Sequence, residues 1–435
     1  MGRIRQGLKI RSRGLIGILS LWVSLWTMPV LASESGPLVY DPNQAMNGYT
    51  VVGTVGSTTT PPVVLLLDMA GNVVNKWMVT GIPAKLLPGG HILARTSLAA
   101  EEVAFVELDW EGRTVWSLPI YMDHDFEREG NPVGYYAPGA DFVANGKTLL
   151  MTLEERTVPS ISPLPLKDPV LYEFLYDGTW TGFMWRGSDH FEEFGFDDAA
   201  KAAIAENGGD YLHMNTVSLV GRTGWYDQGD ERFHPENIIL CSRHGNFVVI
   251  IDRVTGAVVW RIGPEFTKDR PEHPIGQLLG PHHAHIIPQG LPGAGHMLIF
   301  DNGAPSGYGG FAGYPKYPGR RYSRVVEFDP TTFQVVWEYR ADHKSETPFK
   351  SMAMGSAQRL PNGNTLITFP NQVSTYPEQG RLVELTAGGK VVWDLWLQWN
   401  QVPVTPYRAY RVPPEWLPEG TNPAGYLPWS QTIEP

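Results

Sequence analysis

"VIIDRVTGAVVW", Val249 to Trp260, is a β-branched run, a turn built from Asp, Thr and Gly, and a second β-branched run ending on tryptophan. Apolar runs flanking residues that tolerate positive φ predict a β-hairpin. The phrase recurs as "LLLDMAGNVVNKW" ending at Trp77, "VELDWEGRTVW" at Trp116 and "YEFLYDGTWTGFMW" at Trp185, then as "VVEFDPTTFQVVW" at Trp337 and "LVELTAGGKVVW" at Trp393. A second strand–turn–strand phrase usually precedes it, as in "KLLPGGHILAR" from Lys85 and "AQRLPNGNTLITF" from Ala357. Two hairpins per unit make four antiparallel strands, the blade of a propeller. Successive tryptophans lie 39 to 77 residues apart, so several units carry insertions on a blade of about 40–50 residues. The expected fold class is therefore all-β, a six-bladed β-propeller of four-stranded antiparallel blades. A β-sandwich also contains many short strands, but six matched hairpins that each close on tryptophan fit radial repetition better. "YRAYRVPPEW", Tyr407 to Trp416, follows the last tryptophan and is expected to pair into the first blade and close the ring. Helix is scarce: "DDAAKAAIAENGG", Asp197 to Gly209, predicts one short helix in an insertion, and "FAGYPKYPGRRY", Phe311 to Tyr322, a long loop.

The first 32 residues stand apart from this pattern. Arg3, Arg5, Lys9, Arg11 and Arg13 precede the apolar run "GLIGILSLWVSLWTMPVLA", which ends in Val30-Leu31-Ala32. This is the layout of a secretory signal peptide cleaved near Ala32. An uncleaved anchor is the alternative, because the run is nearly long enough to span a bilayer; Pro29 and the small-residue triplet favour cleavage. The expected organisation is signal peptide 1–32, a short segment 33–45, and a single propeller domain 46–430, periplasmic or secreted, with no stable membrane span after cleavage. Removing the leader leaves 29 basic against 45 acidic residues, a balance of −16. Such a surface repels phosphate backbones, so nucleic acid is not an expected partner. Cys241 is the only cysteine, which excludes an intramolecular disulfide, and about 400 residues supply a large core instead.

"LGPHHAHIIPQG", Leu279 to Gly290, holds three of the 12 histidines, His282, His283 and His285. "LHMNTVSLV" places His213 and Asn215 two apart on a strand that opens the neighbouring blade. Ser242, Arg243 and His244 end the next strand of that blade, and Phe300-Asp301-Asn302-Gly303 occupies the same place after the histidine cluster. Inner strands converge at a channel mouth, where three kinds of chemistry compete. The His-His-x-His spacing allows a metal but is not diagnostic, and no HExxH or cysteine partner supports one. Polar residues capping strand ends around a wet channel are the bland alternative. Transfer of an anionic group is the third: imidazole acts as nucleophile or acid–base near neutrality, and arginine holds sulfate or phosphate oxygens.

"LHMNTVSLV…NIILCSRHGNFVVIIDRVTGAVVWRIG", followed by "HHAHII…MLIFDNG" and "YSRVVEFD", resembles the bacterial arylsulfate sulfotransferase family. The resemblance implies a periplasmic six-bladed propeller that moves a sulfuryl group between phenols through a sulfohistidine, with no nucleotide donor and no cofactor. It implies His213 as an active-site histidine with Asn215 as its strand partner. His283 matches a family histidine that follows a glutamine, with His282 in the glutamine's place; His282 and His285 remain candidates. Ser242 and Arg243 match a phrase at the channel mouth, Asp301 and Asn302 lie in the Phe-Asp-Asn-Gly phrase, and Arg324 in Tyr-Ser-Arg. The implied partners are small aromatic sulfates or phenols.

The departures are specific. The family carries an arginine just after Phe-Asp-Asn-Gly, where this chain has "APSGYGG", so Arg320 or Arg321 would have to reach in from the following loop. The family's sulfate-accepting histidine follows the strand matching "NTLITF", where this chain has "PNQVSTY", and no histidine occurs after His343. The paired cysteines of some members are missing, and the N-terminal segment is too short for the family's extra sandwich. Three functions therefore stand side by side: a sulfuryl transferase using His213, His282, His283 or His285 with Arg243; a non-catalytic propeller binding an aromatic or anionic ligand or a protein; and a metal-dependent hydrolase or lyase built on the histidine cluster.

Overall fold

Strands that are unbroken apolar runs, such as Val64–Leu67, Ile238–Ser242 and Phe247–Ile251, are buried along their whole length. Each is a middle strand of a four-stranded sheet, covered on both faces by neighbouring sheets, so neither face needs polar residues. The outermost strands, such as Thr114–Leu118 and Val335–Tyr339, are only partly buried and accordingly mix polar and apolar residues. These relationships come from a computed structural model, which describes residues 36–56, 60–96, 102–131, 133–264, 274–309, 315–340, 350–370 and 379–432. The expected signal peptide lies outside the described residues, as do most of "PNQVSTY" and part of the Phe311–Tyr322 loop.

Six antiparallel blades form the propeller. Their innermost strands are Thr405–Val412, Thr80–Leu86, Phe126–Arg128, Met214–Leu219, Pro281–Ile286 and Ser356–Arg359, for blades 1 to 6. The ring closes as the sequence predicts: Thr405–Val412 pairs with Tyr49–Val55, in a register running from Val412 opposite Tyr49 to Thr405 opposite Val55. A contribution not foreseen is Val39–Tyr40, which pairs with Val391–Trp396 as a fifth strand of blade 6. The predicted helix is Asp198–Asn207, N-capped by the Asp197 side chain, which accepts from the Ala200 N–H.

The recurring hairpins account for the repeat. A side-chain oxygen pins each turn: Asp68 accepts from the Asn72 N–H at 2.8 Å, Asp109 from Arg113 at 2.8 Å and Asp177 from Thr179 at 2.8 Å. Asp252 does so from Thr255 at 2.6 Å, Asp329 from Thr331 at 2.7 Å and Thr386 from Lys390 at 3.1 Å. Each closing tryptophan then donates its indole N–H to a carbonyl in the equivalent turn of the next blade. Trp77 donates to Asp109 at 2.9 Å, Trp185 to Gly256 at 3.0 Å, Trp260 to Pro330 at 2.8 Å and Trp337 to Ala387 at 3.0 Å. Trp116 donates to the carbonyl of Tyr176, and Trp393 completes the circle across the seam to Met69 at 2.8 Å. The tryptophan is thus selected twice, for buried ring area within the blade and for a donor that registers it against its neighbour.

The axis is polar and buried. Lys85, Asp125, Glu127 and Arg408, on or beside the inner strands of three blades, are each no more than 3% exposed. Asp125 takes Lys85 at 3.0 Å on one oxygen and Arg408 at 2.7 Å on the other. Charges this deep are tolerable only in such a network, because desolvation of an unpaired one costs several kcal/mol, roughly.

Candidate active site

At one end of the axis, the inner strands of blades 3 to 6 each have, within two residues of their start, a residue in the left-handed region: His124 (φ 58°), His213 (φ 45°), His283 (φ 49°) and Met354 (φ 62°). In blades 4 and 5 the strand register also shifts here, between Met214 and Thr216 and between His282 and His285. The bulge and the reversed φ break the plain alternation that sequence periodicity assumes and re-aim the side chains. Non-glycine residues held in this region cost on the order of 1–3 kcal/mol each and cluster at functional sites.

Three imidazoles gather at the mouth. The His213 ring centroid is 4.7 Å from that of His124 and 4.7 Å from that of His244. His213 Nδ1 lies 2.5 Å from Asp210 Oδ2, and its backbone N–H donates to Asp210 Oδ1 at 3.0 Å. His124 Nδ1 lies 2.5 Å from Asp123 Oδ2. Two Asp–His dyads therefore face each other, and the His213 and His124 side chains keep 25% and 22% of their surface exposed. Each carboxylate fixes its partner's tautomer with the proton on Nδ1 and the lone pair on Nε2. Burial works to raise the Asp210 pKa, but the hydrogen bond from His213 and the nearby His213, His244 and His124 hold it down to about 2. His244 Nδ1 donates to the Asp210 carbonyl at 2.7 Å. Burial, reinforced by His213, pushes the His244 pKa down to about 4, so that ring is neutral near pH 7. Arg243 joins the same edge: its N–H donates to the His213 carbonyl at 3.1 Å and its guanidinium reaches the Met352 carbonyl at 3.4 Å.

The histidine cluster is placed differently. His282, His283 and His285 are 2%, 2% and 1% exposed. His282 Nε2 accepts the Met354 N–H at 3.2 Å, so Nδ1 carries the proton and donates to Asn302 Oδ1 at 2.7 Å. Both its nitrogens are thus engaged, Nδ1 within blade 5 and Nε2 across to blade 6. His283 and His285 face the axis with ring centroids 4.5 Å apart; Nε2 of His285 meets the Tyr135 hydroxyl at 2.8 Å and Nε2 of His283 the Tyr410 hydroxyl at 3.5 Å. Burial drives the pKa of all three downward, to about 4 for His285.

The remaining candidates form the frame beneath the mouth. Asn215 donates to the Pro281 carbonyl at 2.9 Å, tying blade 4 to blade 5, and the Ser242 hydroxyl donates to the Leu212 carbonyl at 2.5 Å. Asn302 donates to the Met354 carbonyl at 2.9 Å. Asp301 is fully buried between Arg324 at 2.9 Å and Arg320 at 2.5 Å, so Arg320 does reach in from the following loop, onto Asp301. Asp210, Asp123 and His124 lie outside the motifs legible in the sequence. Alignment of the repeats would have found the last: "DHDF" holds in blade 3 the position that "LHMN" holds in blade 4. For a metal, the suitable grouping is likewise at the mouth and not in the histidine cluster: Asp210, His213 and His244 each bring a potential ligand atom within 4.8 Å of the others.

The family model described as arylsulfotransferase (ASST) matches residues 169–398, more than half of the chain. This chain belongs to the arylsulfotransferase family. The match takes in blades 4 and 5 entirely, with Asp210, His213, Arg243 and His244, whereas His124, Lys85 and Arg408 fall outside it. No curated protein matches the sequence. Similar solved structures include TolB from Acinetobacter baumannii, at 12% identity over 83% of this chain and 66% of that one, with a TM-score of 0.40; this chain thus spans just under two thirds of TolB. Apo AztD from Citrobacter koseri shares 12% identity over 85% and 98% of the two chains with a TM-score of 0.39. A putative 6-phosphogluconolactonase from Bacteroides fragilis shares 11% over 85% and 99%, also at 0.39. At such TM-scores none of them bears on the activity of this arylsulfotransferase family member.

Proposed function

We propose that this protein is an exported arylsulfotransferase in which His213 is the reacting imidazole. The observation that carries the proposal is the pair of partly exposed Asp–His dyads at the mouth, beside Arg243. With Asp210 holding the proton on Nδ1, the His213 Nε2 lone pair attacks the sulfur of an aryl sulfate. The S–O bond to the ring breaks, the phenolate leaves and takes its proton from water, and a sulfohistidine remains. An acceptor phenol then gives its proton to the His124 Nε2 lone pair while its oxygen attacks sulfur, the N–S bond breaks, His213 regains its lone pair and His124 releases the proton to solvent. Arg243 neutralises sulfuryl oxygens as charge builds on them. This route uses a histidine present in the chain and does not need the family histidine that "PNQVSTY" lacks. Export is supported by the basic start and apolar run of residues 1–32.

The decisive test is sulfuryl transfer from a chromogenic aryl sulfate to phenol by wild type, His213→Ala and His283→Ala. Loss in His213→Ala with retention in His283→Ala supports the assignment. Absence of transfer by the folded wild-type protein would overturn it, leaving a binding propeller.

A further inference from the structure

The same mouth has a second chemistry, independent of sulfur. Asp123 and Asp210 contribute two carboxylates against the single guanidinium of Arg243, in a chain whose formal charge is −11. The two carboxylates outnumber the guanidinium, so the mouth can hold a small cation. The donor set is also right in kind: Asp210, His213 and His244 place a carboxylate oxygen and two ring nitrogens within 4.8 Å of one another. Among the described residues this is the grouping of acidic, histidine and cysteine side chains that meets such a spacing. Two imidazoles and a carboxylate suit first-row transition ions and not calcium or magnesium, which take oxygen ligands. Ligands of a tetrahedral zinc ion, at 2.0–2.2 Å from the metal, lie about 3.3 Å apart, so side-chain rotations of roughly 1 Å would close the site. The His213 side chain keeps 25% of its surface exposed, so the mouth is open to solvent for entry.

We infer that Asp210, His213 and His244 form a binding site for one divalent transition-metal ion of the zinc or cobalt type. An ion seated there takes the His213 ring out of sulfuryl transfer, so the site acts as a brake on turnover. That consequence rests on the function proposed above; the binding itself does not.

The test uses full-length protein stripped with a chelator and titrated with Zn²⁺ by calorimetry and with Co²⁺ by visible absorption, in the absence of any aryl sulfate. The expected result is one ion per chain, with ligand-field bands showing nitrogen ligation of Co²⁺. Loss of an outer-shell partner alone weakens a metal site by about 10–100-fold, so Asp210→Asn and His244→Ala should each weaken binding at least that much. His296→Ala, whose ring pairs with Glu327 and not with the mouth residues, should not. His244→Gln replaces His244→Ala if circular dichroism shows the latter misfolded. No stoichiometric uptake by folded wild type, or equal affinity in Asp210→Asn and the folded His244 variant, would overturn the site. Inhibition of transfer by one equivalent of Zn²⁺ supports the brake, and undiminished transfer by the zinc-loaded protein would overturn it. A protein that binds zinc but shows no transfer when metal-free would retain the site and lose only the proposed activity.

Discussion

Both oxygens of Asp210 are committed to His213: Oδ2 lies 2.5 Å from the ring Nδ1 and Oδ1 accepts the backbone N–H at 3.0 Å. The carboxylate therefore sets the tautomer of the ring and supports the left-handed backbone that aims it. Asp210→Asn keeps the shape but favours the wrong tautomer. By analogy with the aspartate of a serine-protease triad, transfer should fall by roughly 10³–10⁴-fold. Steady-state kcat for a chromogenic aryl sulfate measures this, with the melting temperature confirming that the variant is folded. A loss under tenfold would separate Asp210 from the chemistry.

Acid should destabilise the propeller well before its carboxylates titrate. His244, His282, His283 and His285 all have native pKa values pushed below the usual 6.5 by burial, to about 4 for His244 and His285. Between the two values the unfolded chain binds more protons, so stability falls as pH drops from about 6.5 towards 4. Glu127 has the opposite sign: burial raises its native pKa from 4.5 to about 8, so the native state holds an extra proton in that window and stability falls as pH rises through it. Four histidines against one glutamate leave a net uptake on unfolding approaching about three protons near pH 5.5, or about 4 kcal/mol per pH unit. Denaturant midpoints measured from pH 4 to 8 should peak near pH 6.5–7; a flat profile would mean that the four rings are not buried as neutral bases.

The tryptophan circle is expected to be strongest at the seam. Trp393 is fully buried and donates to the Met69 carbonyl, so Trp393→Phe leaves a buried acceptor unpaired. The cost should be about 1–3 kcal/mol. Trp337→Phe removes the equivalent bond to Ala387 at a solvent-exposed place, where water replaces the donor, and should cost about 0.5–1 kcal/mol. Urea unfolding of the two variants side by side gives the difference directly.

On the axis, Asp125 is the shared counter-ion of Lys85 and Arg408. Asp125→Asn takes the carboxylate from buried Arg408 and leaves Lys85 with Glu127 alone, at 3.1 Å, and should destabilise by about 3–5 kcal/mol, measured by the same unfolding curves. The double variant Asp125→Asn, Lys85→Met should recover part of that loss, because one of the two cations is gone; no recovery would show that Lys85 is not held by Asp125.

The site was legible in part, and the parts missed share a cause. His213 and Arg243 reach the mouth, because strand starts and ends can be placed from the repeat. The three-histidine segment drew attention by local density, yet its rings are among the most buried in the chain. Period-2 alternation says which side of a sheet a residue faces, but not whether that side is a water-filled mouth or a closed axis. Asp210 and His124 carry no local sign of their partners: one precedes its histidine by three residues, and the other stands 89 residues from the ring it faces.

The amino-acid sequence by itself determined the architecture. Six hairpins with a turn-forming side chain and a terminal tryptophan each carry local instructions for two strands, and such units bury their faces only by packing in a ring. It also determined how the ring closes, since a strand left over at one end matches a blade lacking one at the other. The tertiary structure alone decided the chemistry. Bringing Asp123–His124 of blade 3 beside Asp210–His213 of blade 4, and Arg408 of blade 1 onto Asp125, depends on the order of the blades around the axis and on bulges at strand starts. These are long-range packing outcomes: residues that share no local period meet there because the closed ring leaves them one common space.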